Sequence, residues 1–322
     1  IIMLVKMFVI FGAVMGTMTY ITLAERKILG YMQIRPGPNR VGPWGLLQPI
    51  ADGIKLFLKE DIVPDNASKA VFVIAPAMAL IPAVMTIAVV PFGPEVSIFG
   101  RNVTLFMADI NIGILYIFAV SSIGVYGIVL AGWSSESKYS LLGGLRSSAQ
   151  MISYELSMGF AIVGVIMMSQ SLSMVKIIEA QKGVWFIIPQ FIGFAIYITA
   201  AIAELNRTPF DLPEGESELV SGYFTEYSSM KYAMFMLAEY INIITVSGIV
   251  TTLYLGGWSG PILPPFIWFV VKLFAVVFFM IWVRATFPRF RYDQLMTFGW
   301  KVLLPASIVN ILLTAVFMTV FR

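Results

Sequence analysis

The sequence predicts an all-α integral membrane protein: eight transmembrane helices, with an amphipathic interfacial helix in the first cytoplasmic loop. Three observations predict it. Hydrophobic residues make up 59% of the 322 residues and charged residues only 12%, against roughly 45–50% apolar usage in soluble domains. So few charges cannot cover so apolar an interior in water. The apolar runs are about 20 residues long, enough for a helix to cross the hydrocarbon core, and they do not alternate as barrel strands do. Finally, Lys and Arg crowd alternate loops, as the positive-inside rule requires of a polytopic chain.

The first span is Ile1–Ala24. The chain opens at Ile1, which reads as a trimmed start, and without a small-residue cleavage site the stretch reads as a retained span. Next comes Arg35-Pro-Gly-Pro-Asn-Arg-Val-Gly-Pro43, too rich in proline and glycine to be helical. Over Leu46–Lys59, Leu47, Ile50, Ile54 and Phe57 recur at helical spacing opposite Gln48, Asp52, Lys55 and Lys59. That pattern is an amphipathic helix too short to cross, lying on the membrane or on a partner.

The other spans are Ala70–Val90, Ile110–Ala131, Gln150–Met168, Trp185–Ala203, Tyr232–Leu255, Pro264–Trp282 and Val302–Phe321. The loops after spans one, three, five and seven hold 15 Lys and Arg; the opposite side holds 5. The cytoplasmic loops are therefore about 25–69, 132–149, 204–231 and 283–301, and both termini lie outside. Lys272 falls inside the seventh span, where it pairs with a carboxylate or snorkels. No internal repeat is present, so residues 1–322 form a single polytopic domain.

Neither cysteine nor histidine occurs. The chain has no thiolate or imidazole to hold haem, an iron–sulfur cluster or zinc. It has no GxGxxG or Walker loop for nucleotide chemistry.

The most informative stretch is Asn206–Glu218, NRTPFDLPEGESE. Glu204 ends the fifth span, and Arg207, three residues on, is within side-chain reach. Pro209 and Pro213 leave Phe210 and Asp211 on irregular backbone, which at a membrane edge must line water or be buried in protein. Glu214 and Glu218 share a face if the segment is helical, with Glu216 elsewhere. A solvated acidic loop is the plain alternative. Within the spans, Glu155 and Glu239 sit in apolar sequence. Each is either a relay carboxylate that takes and releases protons or a structural hydrogen-bond partner.

Several long strings carry a family resemblance: Glu25-Arg26-Lys27, QIRPGPNRVGP at 33–43, LLQPIADGIKLFLKED at 46–61, ADINIGILY at 108–116, AGWSSESKYSLLGGLRSSAQMISYE at 131–155, NRTPFDLPEGESELV at 206–220 and GPILPPFIWF at 260–269. From end to end the chain resembles the membrane component of respiratory complex I called the H subunit in bacteria and subunit 1 in mitochondria. The resemblance implies a quinone-binding, energy-coupling subunit of a proton-pumping NADH:quinone oxidoreductase, in a bacterial inner membrane rather than a mitochondrial one. It implies a quinone chamber and entrance at Glu25, Arg26, Gln33, Arg35, Asp52, Arg207 and Phe210. It implies a proton path at Glu155, Glu204, Asp211, Glu214, Glu216, Glu218 and Glu239. Quinone is then a substrate, and iron–sulfur clusters and FMN belong to partner subunits. The implied partners are the hydrophilic arm at the cytoplasmic loops, small and antiporter-like membrane subunits, and lipids, with no nucleic acid. One departure is Phe224, where the family commonly has a histidine before Thr-Glu-Tyr. Two rival readings remain: the homologous membrane component of a membrane-bound hydrogenase or formate hydrogenlyase, and a stand-alone proton-coupled transporter.

Overall fold

The structure, a computed structural model, describes residues 2–98, 101–212 and 220–320. Its helices are α1 Ile2–Met32, α2 Gln48–Leu58, α3 Lys69–Ile87, α4 Gly113–Ser134, α5 Lys138–Ser169, α6 Met174–Ala180, α7 Phe191–Glu204, α8 Ser229–Leu253, α9 Pro265–Thr286, α10 Tyr292–Phe298 and α11 Leu304–Val320. A small antiparallel hairpin, β1 Glu95–Ile98 and β2 Arg101–Thr104, pairs Val96 with Val103 between α3 and α4. The all-α expectation missed it, because two four-residue strands in a loop leave too short a pattern to read.

Among the described residues, seven helices are long and apolar enough to cross a membrane. The expected span Trp185–Ala203 differs. Only α7, 14 residues, is helical there, about 21 Å of rise against a hydrocarbon core of about 30 Å. Residues 186–190 form turns instead, and the Ile187 N–H donates across to the Tyr254 carbonyl at 2.9 Å. A tertiary bond there replaces the helical one.

A second difference is α5. The loop expected over 132–149 is mostly helix, since α5 starts at Lys138 and runs for 32 residues. Its glycines are packing contacts rather than breakers: a Cβ on Gly144 would lie 3.3 Å from the Gly132 Cα of α4. Only glycine lets the two backbones approach so closely. The last span also differs, because α10 runs through a π-type turn, Gly299–Leu303, into α11. Pro305 explains the turn: it has no N–H to offer the Lys301 carbonyl, so the ladder widens there.

The core lies where α8, the most buried of the spans, packs on α3, α9 and α1, with α4, α5 and α7 packed in turn beyond α3. Thr245, Ser247, Thr251 and Thr252 of α8 are buried, and each hydroxyl donates to the carbonyl one turn back, at 2.7–3.0 Å. Polar side chains thus satisfy themselves inside an apolar core.

Lys272 of α9 meets neither of its two expectations. It is buried, and its ammonium donates to the carbonyls of Leu255, Gly257 and Ser259 at 2.6, 3.0 and 2.7 Å, with the Trp185 ring at 4.2 Å. The irregular turn after α8 supplies carbonyls without helical partners, and Lys272 gathers them.

Candidate functional site

Helix α7 ends where Asn206 takes φ 51°, a left-handed conformation that asparagine tolerates better than most residues. The turn sends Arg207 back toward α1 and α8. There its Nη1 donates to Glu25 Oε1 at 2.6 Å, and its Nε pairs with Glu239. Glu25 is 3% exposed. It also receives the Arg284 guanidinium of α9 and the Tyr240 hydroxyl of α8, the latter at 2.8 Å. The Tyr240 ring lies under the Arg207 guanidinium at 4.7 Å, a cation–π contact. Two carboxylates and two guanidiniums thus join four segments that are remote in sequence.

Burial works against the Arg207 charge, but the Glu239 and Glu25 carboxylates outweigh it and hold the guanidinium protonated above its already high ordinary value. The sequence expectation paired Arg207 with Glu204. The structure corrects this, because the turn at Asn206 points the two side chains apart. Glu204 Oε2 is buried with no hydrogen-bond partner.

Glu204 instead lines a cavity of about 100 Å³ with Glu239, Asn206, Asn242, Tyr223 and Phe224, its far wall built from α3, α4 and α5. That volume has room for water molecules among the polar groups. Glu239, Asn242, Val246, Ile249 and Leu253, among the α8 residues that line it, recur every three or four positions and so lie on one helix face. Tyr240, one residue on, is turned by about 100° toward Glu25. Glu239 alone belongs to both the ion cluster and the cavity. Glu155 of α5 lies within electrostatic reach of Glu204 and accepts from Ser122 Oγ of α4 at 2.7 Å.

The irregular segment after Arg207 is held on three sides. Asp211 is buried and accepts from Arg289 Nη2 at 2.8 Å. Gln150 of α5 donates from Nε2 to the carbonyls of Ala203 and Phe210, both at 2.7 Å. Phe290 N–H donates to the Pro209 carbonyl at 3.1 Å. Phe210, read from sequence as a wall residue of the chamber, is 5% exposed and packs between Phe290 and Tyr154. Phe224 packs on Tyr223, Tyr232 and Phe235 at the cavity wall.

The remaining expected residues stand apart from this cluster. Arg26 pairs with Asp52 of α2 at 2.7 Å, and Gln48 Nε2 also donates to Asp52. Arg35 Nε donates to Gln33 Oε1 at 2.7 Å on the exposed surface. Glu214, Glu216 and Glu218 lie outside the described residues.

Sequence reasoning missed Tyr240, Arg284, Arg289 and Gln150. Arg284, in the last turn of α9, counted only among the basic residues of the last cytoplasmic loop; its place three residues after Ile281 and seven after Val277 gives its face but not its partner.

Comparison with known proteins gives the family of the chain. The family model described as NADH dehydrogenase matches residues 5–315. The chain belongs to the H-subunit family of complex I. A protein of Geobacter metallireducens, named as a second H subunit of NADH-quinone oxidoreductase, is 56% identical over 98% of this chain and 94% of its own length. The H subunit of Syntrophotalea carbinolica is 52% identical over 98% and 96%, and that of Rhodospirillum rubrum is 53% identical over 95% and 91%. This member of the H-subunit family is thus a bacterial membrane protein and a subunit of NADH-quinone oxidoreductase. The hydrogenase and transporter readings give way to it. Among the described residues, no group of three or more His, Cys, Asp or Glu could hold a metal ion.

Proposed function

We propose that the cytoplasmic end of this chain forms part of a quinone chamber and the start of a proton path. Arg207 carries the proposal: it bridges Glu25 to Glu239, and Glu239 also lines the cavity that holds Glu204. Glu25, Arg26, Gln33, Arg35, Asp52 and Arg207 edge the chamber, and Phe210 supports its wall from behind. The path runs through Glu239, Glu204 and Glu155, with Asp211, Glu214, Glu216 and Glu218 at its entrance. Reducing a quinone takes two electrons and two protons. The electrons come from a partner subunit, since this chain has no redox ligand. Negative charge created beside Arg207 competes with Glu239 for the guanidinium. Glu239, released, then changes its affinity for a proton, and the change passes to Glu204 and Glu155 through the cavity.

The contacts between helix ends support eight crossings, and the basic loops put both termini outside the cytoplasm. Gln150 and Ala203 meet at one end, and Ile187 and Tyr254 at the other, so α7 with its preceding turns returns the chain across the bilayer. The exposed apolar side chains of α2, among them Ile50, Ile54 and Phe57, suit a helix lying on the inner-membrane surface. The loops at this end dock the hydrophilic arm, and neighbouring small and antiporter-like subunits extend the path.

Two measurements test this reading. A photoreactive quinone, irradiated in assembled complex, is expected to label the peptides carrying Glu25 and Arg207; labelling confined to other subunits would remove the chamber from this chain. Cysteines replacing Lys55 and Arg291 are expected to react only from the cytoplasmic side, and one replacing Lys182 only from the other. Labelling of Lys55→Cys and Lys182→Cys from the same side overturns the eight-crossing topology.

A further inference from the structure

We propose that the outer end of the cavity holding Glu204 is a dry apolar seal, latched by Lys272, that keeps the carboxylates at the inner end from exchanging protons with the outer side of the membrane. The proposal rests on the reading of Glu239 and Glu204 as members of a proton path. The cavity is long: its lining runs from Glu239 to Leu253 on α8 and from Ile128 to Ile114 on α4. Either stretch rises about 21 Å, against a hydrocarbon core of about 30 Å. Its character changes along that length. At the inner end Glu204, Asn206, Glu239 and Asn242 line it, and all four are half-buried. At the outer end Ile114, Ile162, Met174, Ile249 and Leu253 line it, and none is more than 5% exposed. The hydroxyls of Thr86 and Thr245, which also line the cavity, donate to the Ala83 and Ile241 carbonyls of their own helices. Five apolar side chains from four helices offer water no hydrogen bond, and such a constriction excludes the water chain that protons need.

The turn after α8 closes this end. Leu253 is the last residue of α8, and the carbonyls of Leu255, Gly257 and Ser259 beyond it all accept from the Lys272 ammonium. Gln181, fully buried, holds the same turn from the side of α6. Its Nε2 donates to the carbonyls of Thr252 and Ile177 at 2.8 and 3.2 Å. Its Oε1 accepts from the N–H groups of Gly256 and Phe186 at 3.0 and 3.2 Å. Gly257 lies so close on Ile178 that a Cβ there has no room, so the turn is seated on the helix that supplies Met174 to the seal. An ammonium inside a membrane is costly, and three carbonyls offset the cost. What they receive in return is a fixed turn over Leu253.

The test is passive proton flux through assembled complex in sealed vesicles, driven by a potassium diffusion potential without NADH or quinone. Ile249→Asn with Leu253→Asn extends the polar row of Glu239 and Asn242 to the outer end, and is expected to raise flux per complex at least about tenfold over wild type. Ile249→Val with Leu253→Val trims the same side chains without adding polarity, and is expected to stay within about twofold of wild type. Lys272→Met keeps the stem but frees the turn, and is expected to leak at least about threefold faster than wild type. Wild-type flux in the Asn pair, or equal leaks in the Asn and Val pairs, overturns the seal; wild-type flux in Lys272→Met overturns its latch. If the Asn pair does not assemble, Lys272→Met decides by the same flux. Adding Glu239→Gln to the Asn pair separates the seal from the path: a leak that falls back supports entry through Glu239, whereas a leak that persists keeps the seal and removes Glu239 from the path.

Discussion

Replacing Arg207 with Ala is expected to abolish most quinone reductase activity while leaving electron entry intact. Among the described residues, Arg207 is the one whose ion pairs reach both Glu25 and Glu239. Its removal leaves Glu239 without its charge partner and Glu25 with Arg284 and Tyr240 only. Breaking a buried pair in this way costs about 3–5 kcal/mol. Some of that loss falls on assembly, so rates must be compared per assembled complex. Quinone reduction is expected to fall at least about tenfold, equivalent to ~1.4 kcal/mol of barrier. NADH oxidation by a hydrophilic artificial acceptor is expected to persist, because that reaction needs only the hydrophilic arm. Arg207→Lys is expected to recover part of the loss, since one ammonium is a compact charge without the planar fork that serves two carboxylates at once. Normal quinone kinetics in assembled Arg207→Ala complex would refute a role for this bridge.

The second large effect is expected at Glu239. Glu239→Gln keeps the shape and a hydrogen-bonding amide but removes the charge and the proton site. Glu239 is shared by cluster and cavity, and the proposed path couples the two through it. Its loss is expected to lower pumping and quinone turnover together, each by about tenfold. Glu239→Asp keeps the proton site on a shorter stem, and its loss is expected to be smaller. A purely structural Glu239 predicts the reverse order, because Gln preserves the reach to Arg207 and Asp does not. Turnover and proton-to-electron ratio in sealed vesicles, at matched assembly, separate the two. Full turnover and pumping in Glu239→Gln removes this residue from the path.

Much of the fold was legible because a span is a local property. Some 20 apolar residues need no tertiary information to be recognised, and α3, α4, α8 and α9 fall within a few residues of their expected limits. Irregularities were legible only where proline or glycine announced them, as at 35–43. The early start of α5 was not legible, because glycine suits a loop and a close helix crossing equally well, and only the facing Gly222 and Gly132 show that Gly143 and Gly144 serve the second. The turns before α7 were hidden for a similar reason: their composition is apolar, and a bond to the distant Tyr254 carbonyl holds them.

For the site, the sequence by itself determined which residues are chemically costly in a membrane: Glu25, Glu155, Glu204, Arg207, Asp211 and Glu239. Charge beside hydrocarbon is conspicuous one residue at a time. Partner choice was decided by the tertiary structure alone. Arg207 passes over Glu204, three residues away, for Glu25, 182 positions distant. Lys272 settles on three carbonyls instead of a carboxylate, and Phe210 packs between Phe290 and Tyr154. The physical reason is common to all three. Desolvation acts on a residue in isolation and can be read from its neighbours in the chain, whereas pairing depends on direction. Direction is set by one left-handed turn at Asn206, by the register of α8 and by which helix ends meet.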